Sequence, residues 1–127
     1  MTKVELLITD LTKAKEKLKE AVNLPVTTIN QDASIQRFEF TFELAWKLMQ
    51  VLIKDNGIDT YGVKSIIREG AKLGLIDNPE LWFDFLSKRN LSVHTYDEQI
   101  AQLVYAAAKN FVGVVEAFLE KAKSQNK

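Results

Sequence analysis

Ten consecutive residues, Lys88-Arg89-Asn90-Leu91-Ser92-Val93-His94-Thr95-Tyr96-Asp97, gather cationic, hydroxyl and imidazole side chains at the end of an apolar helical pattern. His94 is the only histidine of the chain. An imidazole titrates near neutral pH and can give or take a proton. Arginine is permanently charged and carries a planar fork that grips two phosphate oxygens. In an unbroken helix, a step of five residues turns about 140° net, so Arg89 and His94 would splay apart. A break near Ser92–Thr95, which Asp97 as the next helix cap allows, would bring them together. On the residues alone, a capping histidine beside a surface arginine explains the stretch equally well.

Other chemistries find no support. The chain has no Gly-rich phosphate loop, dinucleotide fingerprint or GxSxG elbow. It has no cysteine, which removes disulfides, thiol nucleophiles and thiolate metal sites. A single histidine removes the two-His zinc motifs within one chain. Glu39 and Glu43 share a helical face that Lys47 continues, so Lys47 is expected to pair with Glu43 on a charged face. A carboxylate–metal site needs more inward-facing ligands than these. Phe38, Phe42, Trp46, Trp82, Phe85, Phe111 and Phe118 fall at helical spacing and read as core. No metal and no cofactor are expected.

The whole composition narrows the class further. Seventeen Lys and Arg meet seventeen Asp and Glu, for a formal net charge of zero. Any nucleic-acid contact must therefore be a local patch. With 127 residues, 46% of them apolar, one folded domain is expected over residues 1–127. No apolar run approaches the roughly 20 residues of a membrane span. The first residues, MTKVELLITDLTKAKEKL, are charged throughout and lack a signal-peptide apolar region. Together with the lack of cysteine, this suits a cytoplasmic protein.

The elements that must position the polar stretch are helices. Thr2 and Glu5 have capping-box spacing. Val4, Leu7, Ile8, Leu11, Leu18 and Val22 then form one apolar stripe of a first helix to about Val22. Val26 to Asn30 reads as a loop, with Asn30 or Asp32 as the next cap. From Phe38 to Leu44 the sequence alternates like a strand, but the alternation fails at Ala45-Trp46. Ile35, Phe38, Phe42, Ala45, Met49 and Leu52 step by three and four, predicting a helix from about Ala33 to Asp55. Phe40 lies off this stripe and implies a second apolar contact, on a neighbouring helix or a partner subunit. A short helix fits Val63 to Leu73, with close packing at Gly70. Asn78-Pro79 starts a fourth long-period segment carrying Leu81, Trp82, Phe85 and Leu86. Asp97 caps a last helix carrying Ile100, Leu103, Val104, Ala107, Phe111, Val114, Val115 and Phe118, which frays into a polar tail from about 121. The expected architecture is all-α: an up-down four-helix bundle with one short extra helix.

Two motifs resemble a known family. Arg89-x4-His94-x-Tyr96 matches the Arg-x4-His-x-Tyr motif of HEPN-domain proteins. Gln36-Arg37-Phe38-Glu39-Phe40-Thr41-Phe42-Glu43-Leu44-Ala45-Trp46-Lys47 resembles the second-helix signature of one HEPN branch. That branch is the nucleotidyltransferase substrate-binding family, similar to the HepT component of HEPN/MNT toxin–antitoxin modules. The resemblance extends from Leu7 to about Phe118. Val93 departs from it, being apolar where a small polar residue is usual, in the variable gap of the motif.

The resemblance implies an all-α HEPN-like fold, a homodimer and a minimal nucleotidyltransferase as partner. It also implies that Arg89 and His94 are catalytic in metal-independent RNA cleavage, and that Tyr96 accepts AMP from the partner, silencing a toxin. For a single-His chain, a two-fold dimer would supply the two imidazoles that acid and base steps require. Asn90 and Ser92 could bond phosphate, or could satisfy the helix end. The alternative function is a non-catalytic subunit that binds substrate or nucleotide for the nucleotidyltransferase.

Overall fold

Side-chain caps mark where four of the five α-helices begin, the short third one excepted. The computed structural model describes residues 1–126; Lys127, the last residue of the expected domain and tail, lies outside the described residues. Helix α1 runs Lys3–Val22, α2 Thr28–Asp55, α3 Val63–Lys72, α4 Pro79–Leu91 and α5 Glu98–Gln125, with a 3₁₀ turn at Ser92–His94 between α4 and α5. Thr2 caps α1 by accepting the Glu5 backbone N–H at 3.1 Å. Asn78 caps α4, accepting the Leu81 N–H at 3.3 Å, with Pro79 in the first turn. Among the described residues there is no strand, so the helical period from Ile35 to Leu52 overrides the local alternation around Phe40.

Two boundaries differ from the sequence expectation. The second helix starts at Thr28 rather than near Ala33, because Thr27 is its cap: its hydroxyl accepts the Asn30 N–H at 3.1 Å. Asn30, expected as a cap, instead donates its side-chain amide to the Pro25 carbonyl at 2.8 Å. Helix propensity is a weak force, and the Thr27 cap draws β-branched Thr28 and Ile29 into the helix. At the other end, α5 continues to Gln125 where a fraying tail was expected. Ala122 lies one turn beyond Phe118 and is fully buried, and Lys121 pairs with Asp77. Leu103, counted with the inward residues of the last helix, is instead exposed.

The four longer helices form an up-down bundle, with α3 inserted between α2 and α4. The core is centred on Phe111 of α5. Its ring lies 4.9 Å from Phe85, 5.4 Å from Phe38 and Trp82, and 5.8 Å from Phe42, centroid to centroid. This one ring therefore joins α2, α4 and α5, and most of its contacts are edge-on, the favoured arrangement of aromatic quadrupoles. Gly70 of α3 is buried against Met49, and a Cβ there would overlap the Met49 sulfur. That close approach explains a glycine inside a helix. Lys15, buried on α1, bonds Glu16 and reaches Glu116 of α5. The bond to Glu16 and the charge of both carboxylates outweigh burial and raise its pKa.

Phe111→Ala is expected to cost about 3–5 kcal/mol, the usual loss for a buried aromatic. Urea unfolding followed by circular dichroism measures it. A loss under about 1 kcal/mol would mean that α4 is held by something other than this cluster.

Candidate functional site

The α-helical ladder stops after Leu91, and the polar stretch occupies the break. The Ser92 hydroxyl donates to the Arg89 carbonyl at 2.6 Å, and the Thr95 hydroxyl donates to the Ser92 carbonyl at 3.3 Å. The Asp97 N–H donates to the His94 carbonyl at 3.0 Å. Asp97 then opens α5, its carboxylate accepting the N–H groups of Gln99 at 2.9 Å and Ile100 at 3.3 Å. The turn is thus closed by local bonds that satisfy helix-end carbonyls and amides. Ser92 is buried within it, so its hydroxyl serves the helix end.

The break falls where the sequence places it, but Arg89 and His94 engage different partners. Arg89 Nε donates to Glu43 Oε1 of α2 at 3.1 Å. The other Glu43 oxygen accepts the Trp46 indole N–H at 3.1 Å. Both oxygens of one carboxylate are therefore used to aim a guanidinium from α4. Because Nε makes this bond, the terminal nitrogens of Arg89 stay available, and among the described residues they have no protein partner. Fork-like binding of an oxyanion needs those nitrogens.

His94 ends the 3₁₀ turn and is exposed. Its Nδ1 shares a hydrogen bond of 3.0 Å with the Tyr96 hydroxyl, the proton sitting on either group according to tautomer. The two rings meet edge to face, 5.7 Å between centroids. Nε2 is left for other partners. Tyr96 is 84% exposed, which decides between a buried core tyrosine and an accessible hydroxyl in favour of the second. Among the described residues no hydrogen bond joins Arg89 to His94, and no group of three or more His, Cys, Asp or Glu is placed to hold a metal ion.

Sequence reasoning misplaced one residue and missed two. Glu43 pairs with Arg89, across 46 positions, rather than with Lys47 on its own helix. Helical spacing reveals only neighbours within a helix, so no local signal distinguishes these partners. Lys64 and Arg68 share a hollow with His94 and Asn90. Their one legible signal is basic spacing of four, flanking the inward Ile66 and Ile67.

Glu43→Ala should release Arg89 while leaving the fold, because the ion pair is about one-third exposed and is worth under about 1 kcal/mol. The Arg89 Nε–H resonance should lose its protection from solvent exchange in Glu43→Ala and keep it in Glu43→Gln, which retains an acceptor. An unchanged resonance in Glu43→Ala would show that Glu43 does not hold Arg89.

Comparison with known proteins identifies the family and the fold. Residues 6–124 match the family model described as nucleotidyltransferase substrate binding protein like. A Haemophilus influenzae protein named probable ribonuclease HepT is 36% identical over 98 residues, 73% of this chain and 67% of that one. The fold superposes on a crystal structure from Thermus thermophilus with a TM-score of 0.84 at 31% identity, covering 88% of this chain and 98% of the other. It also superposes on HI0074 of Haemophilus influenzae, with a TM-score of 0.81 at 31% identity, covering 91% and 98%. The HI0074 structure is reported to reveal the fold of a substrate binding domain of a nucleotidyltransferase. With a family match across nearly its whole length, this chain belongs to the nucleotidyltransferase substrate-binding protein family, the HEPN branch that its Gln36–Lys47 and Arg89–Tyr96 motifs resemble.

Proposed function

We propose that the protein is a metal-independent endoribonuclease that works with, and is silenced by, a minimal nucleotidyltransferase. The observation that carries this reading is the helix break at Ser92–His94. It leaves one exposed imidazole with a free Nε2, two residues from an exposed tyrosine hydroxyl, on the same junction as a guanidinium aimed by Glu43. The relative named probable ribonuclease HepT supports the ribonuclease part of this reading.

In this reaction one imidazole takes the proton of the ribose 2′-hydroxyl, and the 2′-oxygen attacks the adjacent phosphorus. The bond from phosphorus to the 5′-oxygen breaks, and that oxygen receives a proton from a second imidazole. The products carry a 2′,3′-cyclic phosphate and a 5′-hydroxyl. The free nitrogens of Arg89 stabilise the charge of the phosphorane. One chain has a single histidine, so a two-fold dimer supplies the second. Val93 and Leu103 are exposed apolar groups at and just beyond the junction, and they suit an interface that brings two junctions together. Asn90, exposed on α4, contributes a further phosphate contact.

Silencing follows from the bond between His94 and Tyr96. Attack of the Tyr96 oxygen on the α-phosphorus of ATP releases pyrophosphate and leaves an adenylyl group on that oxygen. The acceptor oxygen lies 3.0 Å from His94 Nδ1. Modification therefore removes the phenolic proton, adds negative charge beside the imidazole and occludes it.

A second reading is favoured by the family description and by the report on HI0074. In it Arg89 and His94 bind phosphate or nucleotide for the partner without cutting. His94→Ala and Arg89→Ala separate the two. Each should abolish RNA cleavage and growth arrest, Arg89→Ala at a cost of about 3–4 kcal/mol in the barrier through the lost oxyanion-type contact. Melting temperature should hold, and EDTA should have no effect. Cleavage that persists in His94→Ala, or that needs a divalent ion, removes His94 from the mechanism, and wild-type protein that binds RNA or nucleotide without cutting leaves the second reading.

Intact-protein mass spectrometry after co-expression with the nucleotidyltransferase tests the silencing. An adenylyl increment is expected in the wild type and not in Tyr96→Phe. An increment that persists in Tyr96→Phe places the acceptor elsewhere.

A further inference from the structure

Beside His94, between α3 and α4, lies a hollow of about 640 Å³, within the range of small-molecule sites. Lys64 and Arg68 of α3 form one wall, one helical turn apart. Phe83, Leu86, Ser87, Asn90 and Leu91 of α4 form the other, and His94 stands at its end. No carboxylate lines it. The neighbouring acids are engaged elsewhere: Glu69 with Lys72 and Asp84 with Lys88. Among the described residues Lys64 and Arg68 have no ion-pair partner, and the side chains of Ser87 and Asn90 make no hydrogen bond. The Arg68 guanidinium lies over the Phe83 ring, 5.4 Å from its centroid. Stacking of this kind orients the planar group while leaving its N–H edge for an acceptor.

The hollow therefore offers two unpaired cations, two free polar side chains and an aromatic and aliphatic floor, all continuous with the proposed proton-transfer residue. Lys64 and Arg68 are exposed cations with no carboxylate facing them across the hollow, a local excess of positive charge that attracts an anion. The apolar floor calls for a flat or weakly polar group attached to it. A nucleotide has both parts.

We infer that this hollow is a nucleotide subsite, in which Lys64 and Arg68 bind the phosphate next to the scissile one and Phe83 with Leu86 supports the attached nucleoside. The assignment deepens the nuclease reading by adding a substrate-positioning surface outside the Arg89–His94 motif. Its chemistry is shared by a nucleotide of an RNA strand and by a free nucleotide, and the RNA strand is the occupant proposed. His94 at the end of the hollow makes the filled subsite and the cut phosphate neighbours along one strand.

The test is binding of a short single-stranded RNA made non-cleavable by 2′-O-methyl groups, followed by fluorescence anisotropy over a range of salt. Lys64→Ala/Arg68→Ala should weaken binding about tenfold or more. It should also lower the slope of log K against log salt by roughly 0.7, since each phosphate neutralised on a single strand contributes about 0.7 and both side chains face the same phosphate. Lys64→Arg/Arg68→Lys should keep the slope. Phe83→Leu should weaken binding with the slope unchanged, as expected for lost stacking. On a cleavable strand, the double alanine variant should raise KM and leave kcat within a few-fold. Unchanged affinity and slope in the double variant, in a protein that still cuts RNA, overturns the subsite and leaves the nuclease reading standing. RNA binding that depends on Lys64 and Arg68 in a protein that does not cut supports the subsite and overturns the nuclease reading. Wild-type protein that binds ATP or AMP through Lys64 and Arg68 but not the RNA overturns the RNA assignment in favour of a free nucleotide.

Discussion

The site depends on where α4 is made to stop. Phe85 sets α4 against Phe111 at 4.9 Å, and Trp82 sets it there at 5.4 Å, so the helix cannot slide or rotate without opening the core. Downstream, Asp97 fixes the start of α5 through two backbone N–H groups. Between these anchors the chain must turn within Ser92–Asp97. A tight 3₁₀ turn is the short-range solution, and it is sealed by the hydroxyls of Ser92 and Thr95. An unbroken helix would carry His94 away along the bundle. The packed aromatics and the Asp97 cap instead leave it exposed at a fixed corner.

Charge placement follows from the same geometry. Helix α2 is 28 residues long, about 42 Å, and its middle passes under the last turns of α4. Glu43 reaches Arg89 there, while Trp46 binds the second carboxylate oxygen and limits its rotation. The pair is partly exposed, so its value lies in orientation more than in stability. Net charge is zero for the chain as a whole, yet the face between α3 and α4 carries Lys64 and Arg68 without acidic partners. Local imbalance of this kind, within a neutral protein, concentrates attraction for an anion at one place.

The fold was legible because its signals are periodic and punctuated. Apolar steps of three and four identified the helices, and Thr2, Asn78 and Asp97 marked starts that the structure reproduces. The start of α2 was not legible, since Thr27, Asn30 and Asp32 are all competent caps and only the packed chain selects among them. The helix break beside His94 could be read from the next cap. The Glu43–Arg89 pair could not, because it joins residues distant in sequence and competes with a nearer, equally sensible partner in Lys47. Lys64 and Arg68 were hidden for a related reason: exposed basic residues on a short helix are commonplace until tertiary packing sets them opposite Phe83 and His94. The Arg-x4-His-x-Tyr resemblance adds what spacing alone could not, the chemical role proposed for the corner.

On the proposed function, this corner cuts RNA by 2′-hydroxyl attack, without a metal. Analysis of RNA ends by mass spectrometry, on a defined strand incubated with the protein in EDTA, tests it most directly. Fragments should carry a 2′,3′-cyclic phosphate and a 5′-hydroxyl, and a single 2′-deoxy residue before the scissile phosphate should block the cut. Ends bearing a 3′-hydroxyl and a 5′-phosphate, or cleavage indifferent to the 2′-deoxy residue, would contradict it.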